Sequence, residues 1–309
     1  MIEEKIVIGK DTKYPLDGIL TLPKDMSELL PAVVLVQGSG PSNMDEQIGE
    51  NRPFKDIAET LSEMGIAVVR HDKRTFKYAR ELCNETVITV KEESIDDAIM
   101  AVNLLKEDER IDKNRIFIAG HSLGAVLAPR IDEEGADVRG LILMAGSPRK
   151  LEEILIEQND EIYKSFNKFL KFIAKKQIQK LKNNLHGLYS MSDEEAKKKS
   201  VMGKHIKAYY FKELGEKDTV KYLQDTHKPI FIIQGSKDAQ VSVERDFNKY
   251  KELLQNKPNV EFKLYENLNH LFMPAIYGEI AKINEEYKVA QNVEKVVIED
   301  IAKFIHSVV

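Results

Sequence analysis

The chain has 309 residues, 42% hydrophobic and 31% charged, which at about 100–200 residues per domain means one large domain or two modest ones and excludes global disorder. A net charge of −5 argues against broad nucleic-acid binding, and the lone Cys83 excludes a disulfide framework or a multi-thiolate zinc site. No run of about 18 apolar residues exists, so no membrane span is expected, and the opening Met1-Ile-Glu-Glu-Lys5 shows no secretory pattern.

Lys5–Gly9 and Gly18–Leu22 are short β-rich runs around Tyr14-Pro-Leu-Asp17, a predicted hairpin. Ala32–Val36 is apolar throughout and of strand length. A Gly-rich loop follows, then a helix from Pro53 to about Met64. That helix has Pro in its first turn, Phe54, Ile57, Ala58 and Leu61 on one face, and Gly65 as its stop. Ile66–Val69 is the next strand, and a helix at about 92–107 carries Ile95, Ile99, Val102 and Leu105 at helical spacing. Arg115–Ala119, Leu141–Met144 and Ile230–Ile233 repeat the apolar strand pattern. Val260–Tyr265 alternates apolar and polar, which suits a sheet edge, and the final helix spans about 291–308. Wholly apolar strands alternating with amphipathic helices predict an α/β protein with a mostly parallel sheet covered on both faces.

The pattern breaks at residues 149–226, which hold helical periodicity and no convincing strand. Phe166, Phe169, Leu170 and Ile173 share one apolar face, and Ser192-Asp-Glu-Glu195 reads as a capping box. The segment has 17 Lys/Arg and 12 Asp/Glu, so it is basic within an acidic chain. So long a connection between two strands predicts a helical cap at 149–226, with 1–148 and 227–309 forming the core domain.

Gly120-His-Ser-Leu-Gly124 follows a strand and opens a helix, the pattern of a nucleophile elbow that lifts the Ser122 oxygen above the sheet edge. A serine hydroxyl needs an adjacent base. Five histidines follow it. His186 and His205 lie in the insertion, His227 at the wrong end of a strand, and His306 inside the last helix. Only His270 falls in a loop after a strand, so it is the expected base. Asp238 follows Ile230–Ile233 at the same edge and is the expected acid, with Glu266 as runner-up. Gln37-Gly-Ser-Gly-Pro41 follows the first core strand. Its Ser39 N–H, or alternatively that of Gly38, should form an oxyanion hole with the Leu123 N–H. Asp45-Glu46 reads as solvated loop charge, Asp72-Lys-Arg74 as a structural ion-pair network or a solvated loop, and Cys83 as an incidental thiol.

These stretches resemble an α/β-hydrolase of the dienelactone hydrolase and prolyl-oligopeptidase-like branch. In particular the chain resembles bacterial carboxylesterases with a Gly-Ser-Gly-Pro loop and a helical cap. The matching stretches are Val36–Pro41, Asp45-Glu46, Asn51-Arg-Pro-Phe54, Arg70–Arg74, Gly120–Gly124, Gly235-Ser-Lys-Asp238 and Asn269-His270. Gln37 departs from the family, which usually has His before Gly-Ser-Gly. The resemblance implies a carboxylic-ester hydrolase with Ser122, Asp238 and His270 as triad.

The expected activity is hydrolysis of a small acyl ester through an acyl-enzyme, needing no metal or organic cofactor and no nucleic-acid or membrane partner. The expected setting is the cytoplasm. Gly38, His121, Phe166, Phe169 and Leu170 are the expected substrate contacts. The alternatives are acyl transfer, amide or peptide cleavage on the same triad, or a non-catalytic ligand-binding scaffold.

Overall fold

The computed structural model describes residues 1–82, 87–202 and 206–308. In chain order the first half runs β1 (Ile2–Ile8), β2 (Leu16–Leu22), β3 (Leu30–Val36), α1 (Pro53–Glu63), β4 (Ala67–His71), the single turns α2 (Arg74–Lys77) and α3 (Ala79–Leu82), α4 (Asp96–Glu107), β5 (Ile111–His121), α5 (Leu123–Ile131) and β6 (Gly140–Met144). Then come α6 (Leu151–Ser165), α7 (Lys168–Leu185), α8 (Asp193–Lys198), β7 (Ser200–Met202), β8 (Ile206–Lys207), α9 (Ala208–Gly215) and α10 (Thr219–Asp225). The chain closes with β9 (Ile230–Gly235), α11 (Asn248–Leu254), β10 (Val260–Tyr265), the short α12 (Ile283–Glu286) and α13 (Lys295–Ser307).

Eight strands form one sheet in the order β1-β2-β4-β3-β5-β6-β9-β10. The predicted hairpin β1–β2 is antiparallel and joins β4 antiparallel, while every pair from β4 to β10 is parallel. β10 sits at the edge, as its alternation predicts. Alternate residues of each strand feed opposite faces. On one face Ile116 and Ile118 of β5 meet α4 and α5 through Val102, Leu105, Leu127 and Ile131. On the other, Phe117 and Ala119 meet α1 and α13 through Phe54, Leu61, Ile301 and Phe304. At about 25 cal/mol per Å² of apolar area, this double burial is the main source of stability.

The segment between β6 and β9 is mainly helical among the described residues, and it departs from the sequence expectation in two ways. β7 and β8 pair as a small antiparallel ribbon, too short to show a period in the sequence. The face of α7 expected to be buried is not: Phe169 is 72% exposed, and Leu170 and Ile173 are exposed as well. α7 instead joins the insertion's small core through Leu185, with Leu181 packed against it. The capping box at Ser192 and Glu195 is present. Leu214 and Leu223, from α9 and α10, join the main core. Cys83 and His205 lie outside the described residues.

Candidate active site

β5 ends at His121 and α5 starts at Leu123, leaving Ser122 alone on the turn with φ +54°. That backbone is unfavourable for any residue with a Cβ, and it aims the side chain out of the sheet. The Ser122 N–H donates to the Met144 carbonyl at 2.8 Å, which fixes the turn to β6. The flanking glycines are steric necessities: a Cβ on Gly124 would lie 2.0 Å from the Val36 oxygen, and one on Gly120 2.2 Å from the Gly124 oxygen.

The expected acid and base meet. Asp238 Oδ2 accepts from His270 Nδ1 at 2.7 Å, with both side chains shut away from solvent. Asp238 also accepts from Gln234 Nε2 and from the Gln240 and Val241 N–H groups at 2.7–3.0 Å. Four donors hold its two oxygens in place. Asn269 shapes the His270 loop by accepting from the Leu271 and Met273 N–H groups and donating to Glu286. Glu266, the runner-up acid, is exposed and accepts from Ser236, not from His270. His186 is exposed, His306 contacts the Met64 carbonyl, and His227 lines an open groove at the far end of the sheet.

The Gly38 N–H donates to Glu46 Oε1 at 2.7 Å, so it is occupied. The N–H groups of Ser39 and Leu123 have no acceptor among the described residues, and both residues line a cavity with Ser122. That favours Ser39 over Gly38 as the oxyanion donor. The loop is held from behind by Lys73, whose buried ammonium donates to the Gly38 and Gly40 carbonyls at 2.7 and 3.2 Å and pairs with Glu93 at 3.1 Å. Glu93 in turn accepts from Tyr210 of α9 at 2.6 Å. Burial and the Glu93 charge push the Tyr210 phenol well above its ordinary range, so it stays a donor.

The cavity against Ser122 is about 70 Å³. Its apolar wall is Val126, Ala145, Leu151, Ile154, Leu155 and Val241, and Gln158, Gln240, Ser147 and Arg149 supply polar edges. The insertion therefore does reach the site, but through α6. Phe166, Phe169 and Leu170 are not part of this wall, because they lie at or beyond the far end of α6, roughly 20 Å of helix from Leu151. His121 lies behind the nucleophile, its ring 4.7 Å from that of His270.

The sequence reading missed Glu46 and the Lys73–Glu93–Tyr210 chain. Glu46 is buried, not solvated; it joins Gly38 of its own loop to the distant His121, so no local pattern marks it. Asp72-Lys-Arg74 does enter structural ion pairs, including Arg74–Asp97, but the Lys73 contact to the Gly38 carbonyl was not foreseen. Among the described residues there is no cluster of three His, Cys, Asp or Glu side chains that could hold a metal. None of their helices is long and apolar enough to cross a membrane.

A mostly parallel sheet with a serine elbow and an Asp–His pair at one edge defines an α/β-hydrolase. The family model described as serine aminopeptidase, S33, matches residues 49–274, and the chain belongs to that family. The match shows the superfamily expected from the sequence without singling out the dienelactone hydrolase and prolyl-oligopeptidase-like branch. Esterase EstD of Thermotoga maritima is 37% identical over 292 residues, which cover 94% of this chain; the chain spans 65% of EstD's length. An esterase of Pyrococcus furiosus shares the fold at TM-score 0.58 and 17% identity, covering 99% of this chain and 91% of its own. Est1E from Butyrivibrio proteoclasticus does so at TM-score 0.57 and 16% identity, covering 96% of this chain and 99% of its own.

Proposed function

We propose that the protein is a serine hydrolase of small carboxylic esters with short acyl groups. The observation that carries the reading is the 2.7 Å Asp238–His270 pair at the sheet edge where Ser122 stands on its strained turn beside two unengaged N–H groups. Ser122 Oγ attacks the acyl carbon while His270 Nε2 takes its proton. Asp238 keeps Nδ1 protonated and stabilises the imidazolium. The Ser39 and Leu123 N–H groups hold the oxyanion. His270 then protonates the leaving alcohol and activates the water that releases the acid. Residues 149–226 act as a cap over this edge, with α6 shaping the acyl pocket. Ligands of open α/β sheets bind beyond the carboxyl ends of the strands, which is where this insertion begins.

The likeness to EstD supports ester substrates. A cavity of about 70 Å³ is far below the roughly 300–1,000 Å³ that houses drug-sized ligands, which supports a short acyl group. The family's description favours a second reading, cleavage of a peptide from its amino end. Against it stands the lining of that cavity, which among the described residues includes no carboxylate to hold an α-ammonium group. The one charged lining residue, Arg149, is spent on Asp246 at 2.7 Å and Glu157 at 2.8 Å. A cytoplasmic setting is part of the proposal, supported by a single cysteine in the sequence.

The test is labelling by a fluorophosphonate, followed by p-nitrophenyl esters of rising chain length and matching p-nitroanilides. Expected are labelling that disappears in Ser122→Ala, kcat/KM falling with acyl length, and slow anilide turnover. No labelling of the wild type refutes the reading. Faster anilide than ester turnover favours the peptidase.

A further inference from the structure

Glu46 and His121 are buried behind the nucleophile, and ester hydrolysis as just described gives neither of them a proton to move. Glu46 Oε1 accepts the Gly38 N–H at 2.7 Å. Glu46 Oε2 lies 2.9 Å from His121 Nδ1, and neither of these two atoms has another partner among the described residues. The far side of the same imidazole, Nε2, lies 2.9 Å from the main-chain carbonyl of His270. A carbonyl only accepts, so Nε2 carries hydrogen. A neutral ring would then turn the bare Nδ1 lone pair toward a carboxylate, whereas an imidazolium satisfies both contacts. Glu46 also sits at φ +48°, a strained backbone for a side chain, which marks a residue held by its surroundings.

We propose that Glu46 and His121 form a buried ion pair whose task is to position the oxyanion loop and the His270 loop about Ser122. The carboxylate takes the Gly38 N–H and so leaves the next one, Ser39, facing the substrate. The imidazolium crosses from that loop to the base-bearing loop and holds its backbone at His270. One device thus sets the distance between the oxyanion donor and the general base. The inference rests on the esterase reading and adds two positioning residues to it.

The electrostatics agree with the geometry. Burial alone would push the His121 pKa down, but the Glu46 charge, with the His270 carbonyl and Asp238, outweighs it and leaves His121 above the ordinary histidine range. The titratable groups facing His121 are Glu46 from the loop after β3, Asp238 from the loop after β9 and the His270 ring from the loop after β10. The phenol of Tyr287 feels the charges of both Asp238 and Glu46.

Glu46→Gln keeps an acceptor for Gly38 and removes the charge. His121→Gln removes the imidazolium. Active sites are first counted with a fluorophosphonate, so that misfolded material does not enter the rate. Each variant should lower kcat per labelled site by about 10–100-fold, the scale of a misplacement near 1 Å, with KM within roughly threefold. The double variant should be no worse than the poorer single one, because the two act as a unit. Independently, ¹⁵N spectra of the wild type at about pH 8, where ordinary histidines are neutral, should show one doubly protonated ring, and that signal should be absent in His121→Gln. Wild-type kcat per labelled site in both single variants overturns the proposal. So do wild-type spectra with every histidine neutral at that pH, a measurement that stands even if the variants fail to fold. Failure of the wild type itself to label would instead refute the esterase reading.

Discussion

The sheet domain and the helical insertion bury their surfaces in opposite ways. β3, β5 and β6 are buried along most or all of their lengths and are covered on both faces. Among the described residues, the insertion has a core of its own built on six buried residues, among them Leu185, Leu188 and Phe211, while Phe169 and Phe172 on α7 stand in solvent. Charge is divided in the same way. The core hides ion pairs such as Lys73–Glu93 and Glu46–His121 beneath its loops, whereas Lys164–Glu161 and Lys197–Glu194 in the insertion are surface pairs. Many polar threads join the two regions, among them Arg149 to Asp246, Gln158 to the Gln240 carbonyl, Tyr210 to Glu93, Arg130 to Glu213, Tyr222 to Asp132 and Arg245 to Glu157. The lesson is a division of labour. The proposed reacting groups stand on the sheet region, and the cavity wall is shared, with Val126, Ala145 and Val241 from the sheet region and Leu151, Ile154 and Leu155 from α6 of the insertion. Substitutions in the core should therefore change kcat, and substitutions in the insertion should change selectivity.

The largest effect should come from Ser122→Ala. Loss of a triad serine costs about 10⁶ in kcat in subtilisin, and a comparable loss is expected here without a fall in Tm. Asp238→Asn should follow at about 10⁴, because the imidazole then adopts the wrong tautomer. Glu266→Gln should leave the rate unchanged, and a larger loss there than at Asp238 would overturn the acid assignment. Both are read from p-nitrophenyl ester kinetics.

Lys73→Met probes how far the core's hidden charges serve the site. It strands the Glu93 carboxylate and frees two carbonyls of the oxyanion loop. Breaking a buried pair costs about 3–5 kcal/mol in stability, and loosening the loop should cost about 10²-fold in kcat. Adding Glu93→Gln should restore most of the stability but not the rate. Recovery of both together would mean that Lys73 matters only to folding; urea melts and kinetics on the same samples decide.

In the insertion, narrowing the wall should change preference and spare the chemistry. Leu155→Trp should alter the ratio of kcat/KM between acetyl and hexanoyl esters by about 1–3 kcal/mol, the worth of a methylene in an apolar pocket. Leu170→Trp, on the exposed face of α7, should leave that ratio unchanged. If Leu170→Trp moved it, α7 would have to fold over the site during turnover.

The same contrast explains what could be read before the structure. The strands, the helices of the core and the elbow were legible because apolar runs and glycine spacing are local and periodic. Ser122 was placed by its elbow motif, and Asp238 and His270 by topology, since each follows a strand at one sheet edge. The wall was misassigned to Phe166, Phe169 and Leu170 because an apolar helical face reads the same whether it is buried or bare. Glu46 and Lys73 were missed because their importance lies in partners such as His121 and Gly38, which no spacing in their own segments announces.

The smallest expected effect concerns the seam itself. Arg130, buried on α5, donates to Glu213 of α9 at 3.0 Å and to Glu134 at 2.6 Å, so it ties the sheet domain to the insertion. Lys91 also reaches Glu134, at 3.0 Å. Burial alone would raise the Glu134 carboxyl, but these two cations outweigh it and hold it below its usual value. A carboxyl with a lowered folded pKa contributes stability above its unfolded value, about 4.3, and loses it as pH falls through the folded value. The pair is partly exposed, so the contribution is at most about 1 kcal/mol. Tm of the wild type should exceed that of Glu134→Gln at pH near 6, and the gap should close as the pH drops below about 4.3. Hydrogen exchange over the same range should show α9 losing protection before β5, because the seam fails before the sheet does. A Tm gap that stays constant down to acid pH would show that Glu134 carries no charge-dependent share of the seam. Simultaneous loss of protection in α9 and β5 would show that the two regions unfold as one.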